Sequence, residues 1–178
     1  YSSGVITDTL TVYLTGLTYM LPEGATGSFF TTDILIANPN AVEADATITF
    51  LKGDGTTVTL PPTTLAPTSR TTLRLNGVPG VEDTGAVSTV VSTATATPLV
   101  VERTMFWDGT NYGSHGAMAQ SGPRTTFLFG EGAQGFFDTY LLLANAGDQP
   151  ANVTVRFLRE GETAITRSYE VAPTSRFN

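Results

Sequence analysis

Cysteine is absent from this 178-residue sequence, which excludes disulfides, zinc–thiolate sites and thiol nucleophiles together. Histidine occurs once, at His115, so any Ser/His/Asp machinery would have to use that ring. Lysine also occurs once, at Lys52, and a Lys–Asn cross-link would depend on that single amine. Charged residues make up only 14% of the chain, and the net charge is −7 with a pI near 4.5. Nucleic acid and anionic membrane surfaces are therefore poor partners. No apolar run approaches the ~20 residues of a membrane-spanning helix. Nor do apolar residues recur at i, i+3, i+4 and i+7 for three turns anywhere, so no amphipathic helix is expected.

What is present is repetition. Tyr19 corresponds to Phe127, Glu23 to Glu131 and Gly27 to Gly135; after a one-residue slip, Phe30 corresponds to Phe137 and Asn38 to Asn145. Pro173-Thr174-Ser175-Arg176 repeats Pro67-Thr68-Ser69-Arg70. Self-similarity at a fixed period means one structural unit used twice. The chain accordingly divides into residues 1–17, a first repeat over 18–125 and a second over 126–178. Nothing in the second matches roughly Leu73 to Arg124, so the second unit is expected to be incomplete.

The pattern within each unit is that of strands. Hydrophobic residues amount to 40%, enough for a packed core. Alternating or β-branched runs occupy 29–37, 46–51, 56–60, 71–75, 87–93 and 98–106, then 136–144, 152–158 and 163–171. Turn signals separate them, among them Asn38-Pro39-Asn40, Gly53-Asp54-Gly55 and Val78-Pro79-Gly80. Short strands at this spacing without helices indicate an all-β antiparallel sandwich or barrel. Ile34 and Ile36 set the inward phase of the first long strand, which puts Phe30 inward; Leu141 and Leu143 do the same for Phe137. Phe50 and Leu51, with Phe157 and Leu158 in the second unit, are further core candidates. Residues 107–125 read as a loop. Residues 5–15 form one more alternating strand outside the repeat, with Val5, Ile6, Leu10, Val12 and Leu14 as its apolar positions.

The combination Glu-Gly-Ala-Thr-Gly, Leu-Ile-Ala-Asn-Pro-Asn, Pro-Thr-Ser-Arg, Val-Pro-Gly and Val-Val-Glu-Arg-Thr-Met-Phe-Trp resembles a bacterial repeat found in tandem in secreted and cell-surface proteins. The resemblance covers Thr18 to about Gly116 and again Thr126 to Arg176. It implies an Ig-like β-sandwich and an extracellular or cell-surface bacterial location, and it carries over no catalytic residue. Numbering from Tyr1 rather than methionine fits a processed product.

Candidate chemistry is sparse. No Gly-x-Ser-x-Gly elbow precedes His115, and Ser114 cannot readily face the ring beside it in sequence. Glu82-Asp83 with Asp108 lacks the spaced acidic loop of a calcium site. Asn152-Val153-Thr154 has the form of a glycosylation sequon. Trp107, Asp108, Asn111, Tyr112 and His115 combine aromatics with amides, so Trp107, Tyr112 and His115 are candidate glycan contacts; the alternative is that Trp107 caps the core. Glu23 and Glu131 recur beside glycine, which suggests carboxylates accepting backbone N–H bonds in a turn. The expectation is a non-enzymatic structural or adhesive protein without metal or cofactor. Residues 5–15 are then a donor strand that completes the second unit of a neighbouring copy, head to tail. The alternative is a carbohydrate-binding module.

Overall fold

A computed structural model describes residues 16–107, 112–136 and 138–178. The strand proposed over residues 5–15, with Val5, Ile6, Leu10, Val12 and Leu14, lies outside them, as do Asp108, Asn111 and Phe137. The fold is all-β and antiparallel. In the first unit, β1 (Thr18–Leu21), β2 (Phe30–Asn38), β3 (Ala44–Leu51), β4 (Thr57–Thr59), β5 (Thr63–Leu65) and β6 (Ser69–Arg74) precede a 3₁₀ turn at Leu75–Gly77. They are followed by β7 (Ser88–Thr93), β8 (Val100–Trp107), β9 (Gly113–Met118) and β10 (Gln120–Ser121). One sheet runs in the order β10-β1-β7-β3-β4, with β5 also on β3; the other runs β6-β2-β8-β9.

The core lies between these sheets. Leu21 of β1, Phe50 of β3 and Val91 of β7 belong to the same buried cluster as Ile34 and Ile36 of β2 and Val101 of β8. The inward phase set by Ile34 and Ile36 is the observed one. Phe30, placed inward from the same phase, is only half-buried, and its ring meets the exposed Phe29 edge-on with centroids 4.8 Å apart. Strict alternation fails at the end of β3, where Phe50 and Leu51 are both buried. Tyr19 reaches the core without leaving its hydroxyl unsatisfied, because the Leu99 N–H donates to it at 2.7 Å. Several elements escape the sequence pattern, among them β1, β5 and β10. The expected loop over 107–125 contains β9, paired along β8 from Glu102–Met118 to Trp107–Gly113. Its Gly, Ser and His residues signal a turn, yet an edge strand needs only a ladder on one side. The turn residues Pro67-Thr68-Ser69 likewise run into β6, which begins at Ser69.

The second unit contains β11 (Leu143–Asn145), β12 (Ala151–Phe157), β13 (Ile165–Val171) and β14 (Ser175–Phe177). β11 pairs with β14, and β12 with β13. β11 is much shorter than the strand expected over 136–144. Phe157 and Leu158, expected in a second core, are 44% and 81% exposed, whereas their counterparts Phe50 and Leu51 are 0% and 2%.

A corner is nevertheless built twice to the same plan. Asn38 Nδ2 donates to the carbonyls of Val42, Leu65 and Ala66 at 2.8, 3.1 and 3.1 Å. Asn145 Nδ2 donates to those of Gln149, Val171 and Ala172 at the same three distances. The side-chain oxygens accept from Asn40 N and Gly147 N. Ser69 and Ser175 donate to Ala66 and Ala172, and Thr68 and Thr174 share a φ of 46°. Upstream, Thr32 and Thr139 each exchange two bonds with the backbone of Ala25 and Ala133. Gly27 and Gly135 follow at φ 131° and 107°, where a side chain would be strained.

The two asparagines make equal bonds in unequal surroundings, and this gives a test. Asn38 is buried, while Asn145 is only partly so. Asn38→Ala leaves the carbonyl of buried Leu65 without its donor and should cost about 1–3 kcal/mol, whereas Asn145→Ala, whose bond to the Val171 carbonyl is only part-buried, should cost under about 1 kcal/mol. Urea denaturation of the two variants measures the difference. Equal losses would show that burial is not what separates the corners.

Candidate functional site

The largest buried polar side chain of the first unit is Arg103. It lies on β8 opposite Ile34 of β2, in the inward phase of Val101 and Met105. Its neighbour Glu102 faces solvent, as successive strand residues must. The Arg103 side chain is 1% exposed, and its Nη2 donates to Glu23 Oε2 at 2.6 Å. The same nitrogen lies 2.9 Å from His115 Nδ1. Arginine carries only donors, so His115 Nδ1 accepts and the ring proton sits on Nε2. Glu23 Oε2 is 3.6 Å from the same Nδ1, but two acceptors do not bond each other, and the shorter Arg103 contact is the hydrogen bond. Nε and Nη1 of Arg103 have no hydrogen-bond partner among the described residues.

Each member arrives from a different element. Glu23 follows β1 in one sheet, whereas Arg103 and His115 stand on adjacent strands of the other. The cluster therefore ties the two sheets together where the chain leaving β1 meets β8 and β9. Glu23 does a different job from the expected turn acceptor: its carboxylate compensates a buried cation. Burial pushes the Arg103 guanidinium below the usual arginine range, and Glu23 opposes that shift. The same two influences act on Arg176 of β14, so one carboxylate acts on an arginine from each unit. A second ion pair, from Arg74 Nε and Nη2 to Asp33 at 2.9 and 3.0 Å, links β6 to β2 at the surface.

The aromatic candidates separate. Trp107 ends β8 opposite Gly113, and a Cβ on Gly113 would stand 2.2 Å from the indole. Only glycine admits that approach, so the indole packs on the β9 backbone. Tyr112 is 91% exposed. His115 belongs to strand β9 and turns to Arg103, away from any shared aromatic platform. Among the described residues no group of three or more His, Cys, Asp or Glu is placed to hold a metal ion. No described helix is long and apolar enough to cross a membrane. The Arg103 cluster escapes sequence reading because Glu23 and Arg103 are 80 residues apart; the only signal was the adjacent charged pair Glu102-Arg103, of which alternation turns one inward.

No protein-family model and no curated protein matches the chain. Among solved structures, the Thermotoga maritima protein 1070 is similar over 58% of this chain and 91% of its own, at 19% identity and a TM-score of 0.51. At that identity the likeness concerns the fold alone. The Anabaena sensory rhodopsin transducer overlaps 53% of this chain and 99% of its own, also at 19% identity, with a TM-score of 0.39.

Removing one partner of a buried ion pair typically costs about 3–5 kcal/mol, whereas an apolar replacement of the whole pair is close to neutral. Glu23 is partly exposed, so Glu23→Gln should fall toward the lower end of that range. The double variant Glu23→Gln/Arg103→Met should recover most of the loss, as read from urea midpoints. If the double variant instead loses the sum of the single effects, the uncompensated guanidinium is not the cause.

Proposed function

We propose that this chain is a non-enzymatic β-sandwich repeat protein of the bacterial surface or exterior, with a structural or adhesive role. The observation that carries the reading is the contrast between two copies of one unit. Both build the asparagine corner, yet only the first buries its Phe50 position; Phe157 is left 44% exposed. Leu21 is 2% exposed and its counterpart Phe129 71%. An apolar face of this kind marks an interaction surface, and open strand edges recruit further strands. The alternating segment at residues 5–15 is suited to be such a strand, donated to the second unit of a neighbouring copy. Contacts that join unlike surfaces propagate rather than close, and so build filaments.

The carbohydrate-binding alternative draws support from one feature, the exposed ring of Tyr112 beside the half-buried Trp107. A glycan array resolves it. Specific binding that disappears in Trp107→Ala would replace the structural reading with the carbohydrate-binding one.

For the assembly itself, the expected outcome is concentration-dependent polymer in the full chain, seen by light scattering and electron microscopy. Deletion of residues 1–17 should abolish it. The same filaments from the shortened chain, or a full chain that stays monomeric, would end the head-to-tail proposal.

A further inference from the structure

Burial in the second unit falls in one place. Of its described residues only Val171, Ser175 and Arg176 are buried. Val171 stands where the first unit has the buried Leu65, but Ser175 and Arg176 stand where it has the half-buried Ser69 and the exposed Arg70. The corner makes the same bonds in both units, so the corner itself does not account for the difference. A matching excess occurs in the first unit. Leu51 follows the inward Phe50, so alternation turns it to the opposite face of its sheet. It is no member of the core cluster, yet it is 2% exposed. Two residues on, a Cβ built on Gly53 would have the Arg176 carbonyl oxygen as its neighbour, 4.0 Å away.

We infer that the two units dock on each other, the β14 corner of the second lying over Leu51 and Gly53 at the end of β3, with Arg176 turned toward Glu23. Each side of this junction explains the excess burial of the other. Arg176 Nη1 reaches Asn178 Oδ1 at 3.4 Å, and its Nε has no partner among the described residues. Its charge is therefore offset chiefly by the Glu23 carboxylate, which opposes the desolvation of this guanidinium as it does that of Arg103. Glu23 then has two tasks, one inside the first sandwich and one across the junction. The mechanical consequence is a fixed angle between the repeats. Units joined by a short irregular segment swing against each other unless an interface holds them, and residues 122–126, which lead from β10 into the second unit, contain no strand. The tandem is thus a stiff element, a property that goes beyond the structural reading and does not depend on filament formation.

Because the chain has no cysteine, spin labels attach only where one is introduced. The test labels the full chain at Glu102→Cys on β8 and Thr166→Cys on β13, both exposed. The labelled chain is diluted into unlabelled protein, and the distance between labels is read by double electron–electron resonance. A single narrow distribution is expected. Arg176→Glu sets a carboxylate against Glu23 and should broaden it about twofold or more, since units without a firm interface move freely. Arg70→Glu, at the exposed counterpart, should leave it narrow. Gly53→Trp wedges the junction from the first unit, leaves β11 to β14 unaltered and should also broaden the distribution; unchanged circular dichroism then separates undocking from unfolding. A broad distribution in the labelled chain without further substitution, a narrow one in both Arg176→Glu and Gly53→Trp, or equal broadening by Arg70→Glu overturns the inference.

Discussion

The β2–β8 and β3–β7 ladders hold the first unit together, and most of its other features depend on them. A strand is not a local conformation that persists alone; its N–H and C=O groups must be met by a neighbour or by water. Phe30–Thr32 of β2 pair only with β8, and β1 pairs only with β7 and β10. The second unit shows the effect of lacking those neighbours. Thr126–Phe129, the counterpart of β1, forms no ladder, and β11 keeps only the three residues that β14 reaches. The residues are as suited to strands as their counterparts. Among the described residues no strand pairs with them on that side.

The asparagine corner obeys a different rule. One acceptor lies four residues on, and the other two are brought close by a strand pair present in both units, β2–β6 and β11–β14, so the corner forms in each. Hence the same three carbonyls are met at the same distances in both units. What burial changes is the consequence of losing the bond, because an unsatisfied carbonyl is costly only away from water. The corner needs only one strand pair, β2–β6 or β11–β14, and burial in the first unit raises the cost of losing it.

Arg103 stands between these cases. A guanidinium placed between two sheets costs desolvation that Glu23 offsets only in part, and apolar residues of similar size would pack there without that cost. What the pair adds is specification: only a strand carrying a cation at that position suits the carboxylate across the gap. Glu131 has the same place in the second repeat and makes no ion pair among the described residues.

The sequence by itself determined the strand class, the self-similarity and the inward phase of Ile34 and Ile36. Each follows from alternation or self-similarity, which are properties of neighbours along the chain. It missed β9, because Gly113, Ser114 and His115 have turn chemistry and are strand only through their ladder to β8. It misplaced Phe157 and Leu158, because burial needs a covering strand that alternation does not reveal. It could not assemble Glu23, Arg103 and His115, since no local rule relates residues so far apart. Those were decided by tertiary structure alone: two sheets brought face to face place side chains from β8, β9 and the end of β1 within hydrogen-bonding reach.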